Sequence, residues 1–506
     1  MIKIDGNHLS LEQFADVVLQ GQEVALEVGA IEKVHRARDL VNRYVEEERV
    51  SYGITTGFGK FSDVVISKEE TEELQRNLII SHACGIGDPF SEEETRGIML
   101  LRANALAKGF SGVRLKVIET LLKMLNKRVH PIIPEKGSLG ASGDLAPLSH
   151  MVLVMIGEGE AIYNGSLMSG KEAMEKAGIE TIVLTAKEGL GLINGTQAMT
   201  SVGALTLYRG IQLSKIADIS SALTVEALNG IIDAFDPKVH EVRPHSGQIT
   251  TASNLLRLLD ESQLTTHQGE MRVQDPYTLR CLPQIHGATK DALAFIKEKV
   301  EIEMNGVTDN PLIFTEEDQV ISGGNFHGQP MALPFDFLAI ALAELANAAE
   351  RRIERLVNPQ LSGLPAFLTE KGGLHSGLMI AQYSAAALVS ENKILAHPAS
   401  VDSIPSSANQ EDHVSMGTIA ARKAREIAFN TSRVLGIELM TAAQAIEFKE
   451  SKELGKGTMI AYKTLRKSLK PLKEDRILYR DINIASEMID NNQILNAVEE
   501  TVGSLD

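Results

Sequence analysis

Tryptophan is absent from the sequence, cysteine occurs only twice, and basic residues are well outnumbered by acidic ones. Each scarcity removes a class of function. Two thiols, Cys84 and Cys281, cannot build a disulfide framework in 506 residues, and they suit a reducing compartment. A formal net charge of −17 argues against a nucleic-acid binder, which needs a basic face for phosphates, and against docking on an anionic membrane. No uncharged apolar run reaches the roughly 18 residues of a membrane span. The best candidate, MALPFDFLAIALAELANAAE, carries Asp336 and Glu344. The start, MIKIDGNHLSLEQFADVV, has early acidic residues and no apolar core of signal-peptide length. A cytoplasmic protein is expected. Metal ligation is not: His240 and His245 in HEVRPH, and His413 beside Glu411 and Asp412, lack an established ligand spacing.

What is present is helix-forming. The chain is 43% hydrophobic and 23% charged, rich in Leu, Ala, Glu and Ile. Apolar residues three and four apart predict helices in LEQFADVVLQG, AIEKVHRARDLVNRYVEEE, SKEETEELQRNLIISHACGIG (with Ser67 as N-cap), SEEETRGIMLLRANALAKGFSG and VRLKVIETLLKMLNKRV. A patch of strand or turn character follows in GEAIYNGSLMSG through TIVLTAKEG. From about Leu192 the pattern is almost wholly helical, with alanine-rich segments at 331–357, 376–396 and 416–448. The expected fold is mainly α: a mixed, mostly helical N-terminal region (1–190) and a bundle of long, near-parallel helices (191–506).

The stretch KGSLGASGDLAPLSH, Lys136 to His150, stands out for its small residues. It lacks the spacings of a phosphate-binding loop, and Gly140-Ala141-Ser142-Gly143 misses the Gly-x-Ser-x-Gly of a nucleophile elbow. A plain turn into a helix capped by Asp144 is the ordinary reading. A fourth reading is backbone chemistry. Attack of the Gly143 amide nitrogen on the Ala141 carbonyl carbon closes a five-membered ring, which glycine permits through its freedom in φ and its lack of a side chain. Loss of water from Ser142 then leaves an exocyclic methylene, an electrophile that no ordinary side chain supplies.

GSLGASGDLAPLSH resembles the signature of the aromatic amino acid ammonia-lyases, whose Ala-Ser-Gly becomes 4-methylideneimidazol-5-one (MIO). Further blocks agree in the family's order from residue 52 to 417: YGITTGFG, NLIISHACGIGDP, GLINGTQA, QDPYTLRCLPQIHG, TDNPLIF, GGNFHGQP and SSANQEDHVSMG. The resemblance implies β-elimination of ammonia from an amino acid, with MIO formed autocatalytically from Ala141, Ser142 and Gly143 and no external cofactor. It also implies a homotetramer with active sites shared between subunits.

The same resemblance distributes roles. Tyr52 matches the catalytic tyrosine, and Tyr277 a further active-site tyrosine. Arg280 matches the arginine that pairs the substrate carboxylate, a task suited to its bidentate fork. Three residues apart, Tyr277 and Arg280 would share a helical face or turn. Asn194 and Gln274 match residues that hydrogen-bond the MIO carbonyl region or substrate, Phe326 an aromatic packed near the ring, and Asn310 lies in a family block. Substrate choice resembles that of histidine-acting members. They carry Ser-His where phenylalanine enzymes tend to carry Phe-Leu and tyrosine enzymes His-Leu, and this chain reads Ser81-His82. Glu411 resembles their glutamate. A carboxylate and an imidazole suit a substrate imidazole, which both donates and accepts. The implied reaction is L-histidine to trans-urocanate and ammonia, the first step of histidine degradation. The alternatives are a tyrosine or phenylalanine lyase or aminomutase on the same scaffold, and an inactive helical assembly protein.

Overall fold

The computed structural model describes residues 1–51, 53–54, 56 and 70–506. Tyr52 and Ser67 lie outside the described residues. The described chain is mainly α-helical, with four small sheets of two or three short strands. It forms two compact units, each assembled from three separated segments. The first comprises Met1–Tyr208, Lys297–Asp336 and Pro398–Arg422; the second comprises Arg209–Ile296, Phe337–His397 and Lys423–Asp506.

In the first unit, helix starts follow local chemistry. Ser10 accepts the Gln13 amide while the Gln13 side chain returns to Ser10, opening Leu11–Gln20. Ser91 and Glu94 repeat the reciprocal cap at Glu92–Ala107. This second helix has almost no polar face. Every residue from Glu94 to Ala107 is buried, Arg96, Arg102 and Asn104 included, so each charge there needs internal partners. Val28–Glu46 and Thr71–His82 also form as the periodicity predicts, the latter starting after Glu70. The predicted helix through Val129 stops at Asn126, because Arg128 turns left-handed (φ 58°) and His130–Pro131 pair with the strand Glu160–Tyr163. That strand forms a hairpin with Ser166–Ser169 across Asn164-Gly165, both at positive φ, as a tight Asn-Gly turn requires. TIVLTAKEG makes no strand. Ile182 N–H bonds Met155 O at 2.9 Å, and the Glu188 carboxylate takes the Thr185 amide at 2.8 Å, which ties the segment down irregularly.

The predicted alanine-rich helices are present as Gln329–Val357, Met379–Leu395 and Gly417–Ile446. Among the described residues one helix, Gln329–Val357, is long and apolar enough to cross a membrane, but 67% of its most apolar window is buried inside the protein. Its Asp336 accepts the backbone amides of Ala399 (2.9 Å) and Ser400 (2.8 Å). The second unit is pinned by a buried polar chain. Arg352 grips Glu438 through Nε (2.5 Å) and Nη2 (3.0 Å), and its Nη1 donates to His286 Nε2 at 3.3 Å. His286 Nδ1 is left to donate to Asp218 at 2.8 Å, so the imidazole stays neutral, and its burial lowers the pKa in the same sense.

Candidate active site

The glycine loop is delivered by the strand Pro134–Lys136, which pairs antiparallel with Ile86–Pro89, and it ends at the helix Leu145–Met155. Two glycines between these elements stand where a side chain cannot. Gly140 has φ 68°, and a Cβ there would lie 2.2 Å from Ser415 Oγ. Gly143 has φ 76°, and its Cβ would lie 2.2 Å from the carbonyl oxygen of Gly195, the residue with which it forms a parallel bridge. Neighbouring segments zip along the loop. Met416 N–H donates to Leu139 O at 2.8 Å, Ser415 Oγ to Gly140 O at 2.7 Å, and Gly328 N–H to Gly140 O at 3.1 Å. Ala141 packs against Val414 and Met416.

Asp144 occupies the N-cap position of Leu145–Met155 yet makes no side-chain bond to that helix. Its buried carboxylate accepts from Ser138 Oγ (2.7 Å), Thr418 Oγ1 (2.5 Å) and the amide of Met199 (2.9 Å), in the first turn of Gln197–Ala227. The expected cap exists, on a different helix. Burial raises the Asp144 pKa, opposed by these bonds.

Ser142 is the focus of the loop. Its hydroxyl donates to Glu411 Oε1 at 2.7 Å, and Ser406 Oγ donates to the other oxygen, Oε2, at 2.8 Å. Asn194 Nδ2 donates to the Ser142 carbonyl at 2.8 Å. Among the described residues the Gly143 N–H has no hydrogen-bond partner. His82 ends the helix Thr71–His82, with Ser81 Oγ 3.0 Å from Nδ1. Its pKa is lowered by burial, against a raising influence from the Glu411 charge. The structure therefore brings His82, Ala141, Ser142, Gly143, Asn194 and Glu411 together in the first unit. Phe326 is half-buried, two residues before the Gly328 amide that bonds the loop, and the adjacent His327 ring stacks on His413 at 5.9 Å between centroids. Asn310 serves its own loop, accepting the Gly323 amide at 2.6 Å and donating to Ser322.

Behind Asn194 lies an arrangement that the sequence reading missed. Arg102 Nη1 donates to the backbone oxygen of Asn194 (3.0 Å) and to Gln197 Oε1 (2.9 Å), and Nη2 to Gly191 O (2.5 Å). Complete burial pushes the Arg102 pKa down to about 10, with Asp309 opposing. Asp309 is held at 2.8 Å by Lys187, and neither side chain of that pair is exposed. The available signal was an arginine inside the apolar run IMLLRANALA, since a buried charge implies a dedicated set of acceptors. Ser138, Ser406, Ser415 and Thr418 were also missed. Nothing in a serine or threonine announces its partner.

Gln274, Tyr277 and Arg280 belong to the second unit. Asp275 anchors their segment by accepting the Ile231 amide (2.5 Å) and Arg272 Nε (2.9 Å). On the short helix Tyr277–Arg280 the guanidinium sits 4.8 Å from the Tyr277 ring centroid, the shared face expected from their spacing. Tyr277 is 70% exposed, and the Arg280 Nε is buried with no hydrogen-bond partner among the described residues. No carboxylate pairs with Arg280 among the described residues. His240 is bonded to Ala234 O and Gln248, and no metal-binding group of His, Cys, Asp and Glu occurs among the described residues.

A family model described as aromatic amino acid lyase matches residues 9–467. A histidine ammonia-lyase from Alkaliphilus oremlandii is 68% identical over 501 residues, 99% of each chain. The crystal structure of histidine ammonia-lyase from Trypanosoma cruzi matches with a TM-score of 0.92 at 40% identity, covering 98% of this chain and 95% of that one. A tyrosine aminomutase from Streptomyces globisporus matches at 0.96 and 38% identity, covering 99% of this chain and 98% of its own.

Proposed function

The chain belongs to the aromatic amino acid lyase family, and from that premise we propose that it eliminates ammonia from L-histidine to give trans-urocanate. It is a carbon–nitrogen lyase, and it opens histidine degradation. The observation that carries the substrate is the Glu411 carboxylate on the Ser142 hydroxyl at 2.7 Å, with the His82 imidazole within its electrostatic reach. An imidazole side chain arriving at Ser142 has an N–H for that carboxylate. A phenyl ring would leave it unmatched, at a cost of about 1–3 kcal/mol.

The triplet Ala141-Ser142-Gly143 fits formation of MIO, the group this family uses. Gly143 holds the left-handed conformation, its N–H has no partner among the described residues, and Asn194 already donates to the carbonyl that the ring would retain. MIO, once formed, would supply an electrophilic methylidene carbon for the amino group, which would make ammonia a workable leaving group. Asn194 draws charge onto the Ser142 oxygen, and Arg102 fixes the Asn194 backbone. Arg280, which pairs with no carboxylate among the described residues, receives the substrate carboxylate through its guanidinium, Tyr277 positions that group by stacking, and Gln274 lies on the same segment. Phe326, two residues before the Gly328 amide that bonds the loop, would lie near the electrophile. Tyr52 removes the β-proton, which requires surroundings that stabilise a phenolate whose ordinary pKa is near about 10. The protein works as a homotetramer in the cytoplasm, where Cys84 and Cys281 remain free thiols.

The test is incubation with L-histidine, L-tyrosine and L-phenylalanine, following urocanate, coumarate and cinnamate by absorbance and β-amino acids by chromatography. Urocanate from histidine is the expected result. A β-amino acid product would make the chain an aminomutase, and a folded protein that turns over none of the three would overturn the reading.

A further inference from the structure

Glu411 meets Ser142 before any substrate does. Its Oε1 sits on the Ser142 hydroxyl at 2.7 Å, and the Ser406 hydroxyl holds Oε2 at 2.8 Å. Backbone bonds between Ser406 and Glu411 in both directions (2.9 and 3.2 Å) fix the pair as a small closed turn. A carboxylate so oriented on the one hydroxyl that must leave is placed as an acid catalyst for its departure. We propose that Glu411 is a catalytic residue of the chain's own maturation, the acid that expels the Ser142 hydroxyl. This role rests on the reading of Ala141-Ser142-Gly143 as the precursor of MIO, and it is separate from any contact with substrate.

The chemistry balances with water as the only co-reactant. In ring closure the Gly143 nitrogen bonds the Ala141 carbonyl carbon, and the Ala141 oxygen departs with the N–H protons of Gly143 and Ser142 as the first water. Ser142 Cα then lies between a C=N and a C=O bond, so its proton is acidic. Ser142 is half-buried, and solvent water takes that proton. The hydronium formed on Cα deprotonation first protonates the Glu411 carboxylate. The C–H electron pair then becomes the Cα=Cβ bond, the Cβ–Oγ bond breaks, and the departing hydroxyl takes that proton from Glu411 to leave as the second water, which returns Glu411 to the carboxylate. No oxidant is needed.

The step changes the site for its next user. Before dehydration both Glu411 oxygens are engaged by hydroxyls; afterwards Ser406 still holds Oε2, while Oε1 has lost its donor beside the new methylene. The carboxylate therefore becomes available for substrate only when the electrophile exists.

The experiment measures the mass of the proteolytic peptide that carries residues 141–143, over time after synthesis, in the full chain and in Glu411→Gln, Glu411→Asp and Ser406→Ala. The wild type should reach a state two waters lighter. Glu411→Gln should accumulate a peptide one water lighter and lose the second water about 10²-fold more slowly. Glu411→Asp and Ser406→Ala, which keep an acid but displace it, should lie between. Two-water loss in Glu411→Gln on the wild-type time course overturns the proposal. If circular dichroism shows that Glu411→Gln does not fold, the other two variants decide, and wild-type time courses in both overturn it. A wild-type peptide of full mass would instead refute the reading of the triplet.

Discussion

At Ala141–Gly143 the Ser142 hydroxyl and the carbonyls of Ser142 and Gly143 have partners within their own unit, whereas at Tyr277–Arg280 the Arg280 Nε has none among the described residues. The loop is lined by backbone-to-backbone bonds, by serine and threonine hydroxyls, and by glycines pressed too close for a Cβ. The second segment is a single short helix with an exposed tyrosine and an arginine whose buried Nε has no partner among the described residues. The roles proposed for the two segments account for the difference. An electrophile of the kind proposed is built once and must be held in a fixed geometry, so the hydroxyl and carbonyls around it are engaged in advance, while the amide that closes the ring is left free among the described residues. A carboxylate receptor is filled and emptied each turnover, so its hydrogen-bonding capacity has to stay unspent until the ligand arrives.

Substitutions can break or sharpen that contrast. The largest effect belongs to Ser142→Ala, which leaves the lining bonds of the loop in place but removes the source of the methylene. Turnover should fall by about 10³-fold or more, with far-UV circular dichroism and melting temperature near the wild-type values. A variant retaining a tenth of wild-type activity would show that the loop is only scaffolding. Asn194→Ala comes next, since it deletes the donor to the Ser142 carbonyl; kcat should drop by about 10²–10³-fold with little change in KM. Arg280→Lys tests the open side. A point charge cannot reproduce a bidentate fork, so KM should rise by about 10-fold or more while kcat changes less. The reverse split, kcat falling at constant KM, would place Arg280 among the groups that act only in the transition state.

The smallest effect is one of pH. Burial lowers the His82 pKa from its ordinary value of 6.5, so the neutral ring persists into more acidic solution than a free imidazole would. Activity that needs neutral His82 is therefore fully present above 6.5 and is lost only as pH falls below it, through the depressed pKa. His82→Gln should remove this acid limb from the profile of kcat/KM against pH. An unchanged limb in that variant would assign it to another group.

Much of this contrast was legible in the amino-acid order, though unevenly. Long helices with Ala, Leu and Glu in helical period declare themselves locally; the capping boxes at Ser10 and Ser91 are each complete within four residues, yet the sequence reading named only Ser67 as a serine cap. Asp144 was misassigned for the complementary reason. Its type and position were those of a cap, but the helix it caps begins at Gln197, and no local pattern says which amides a buried carboxylate will meet. TIVLTAKEG read as partly extended because its β-branched residues favour strands, whereas the left-handed Lys187 and its buried pairing with Asp309 decide its path. The compact units escape a linear scan, since each gathers three segments with no linker composition between them. Ala141-Ser142-Gly143 stood out by composition, yet its chemistry was readable only through its likeness to a family. The hydroxyl-to-carboxylate contact of Ser142 and Glu411 joins residues far apart in the sequence, and only the folded chain reveals it.

The crossing of Gly143 and Gly195 also bears on how related sequences are read. A side chain at Gly195 would meet Arg102 Nη1 at 2.3 Å, and one at Gly328 would meet Ser415 Oγ at 2.5 Å. An Ala-Ser-Gly triplet is thus only the visible part of a longer word whose other letters, Gly140, Gly195 and Gly328, are scattered along the chain. A genome survey that scores the triplet alone would count as competent chains that can never close the ring, and a designer grafting the loop onto a new scaffold would have to carry those three vacancies with it.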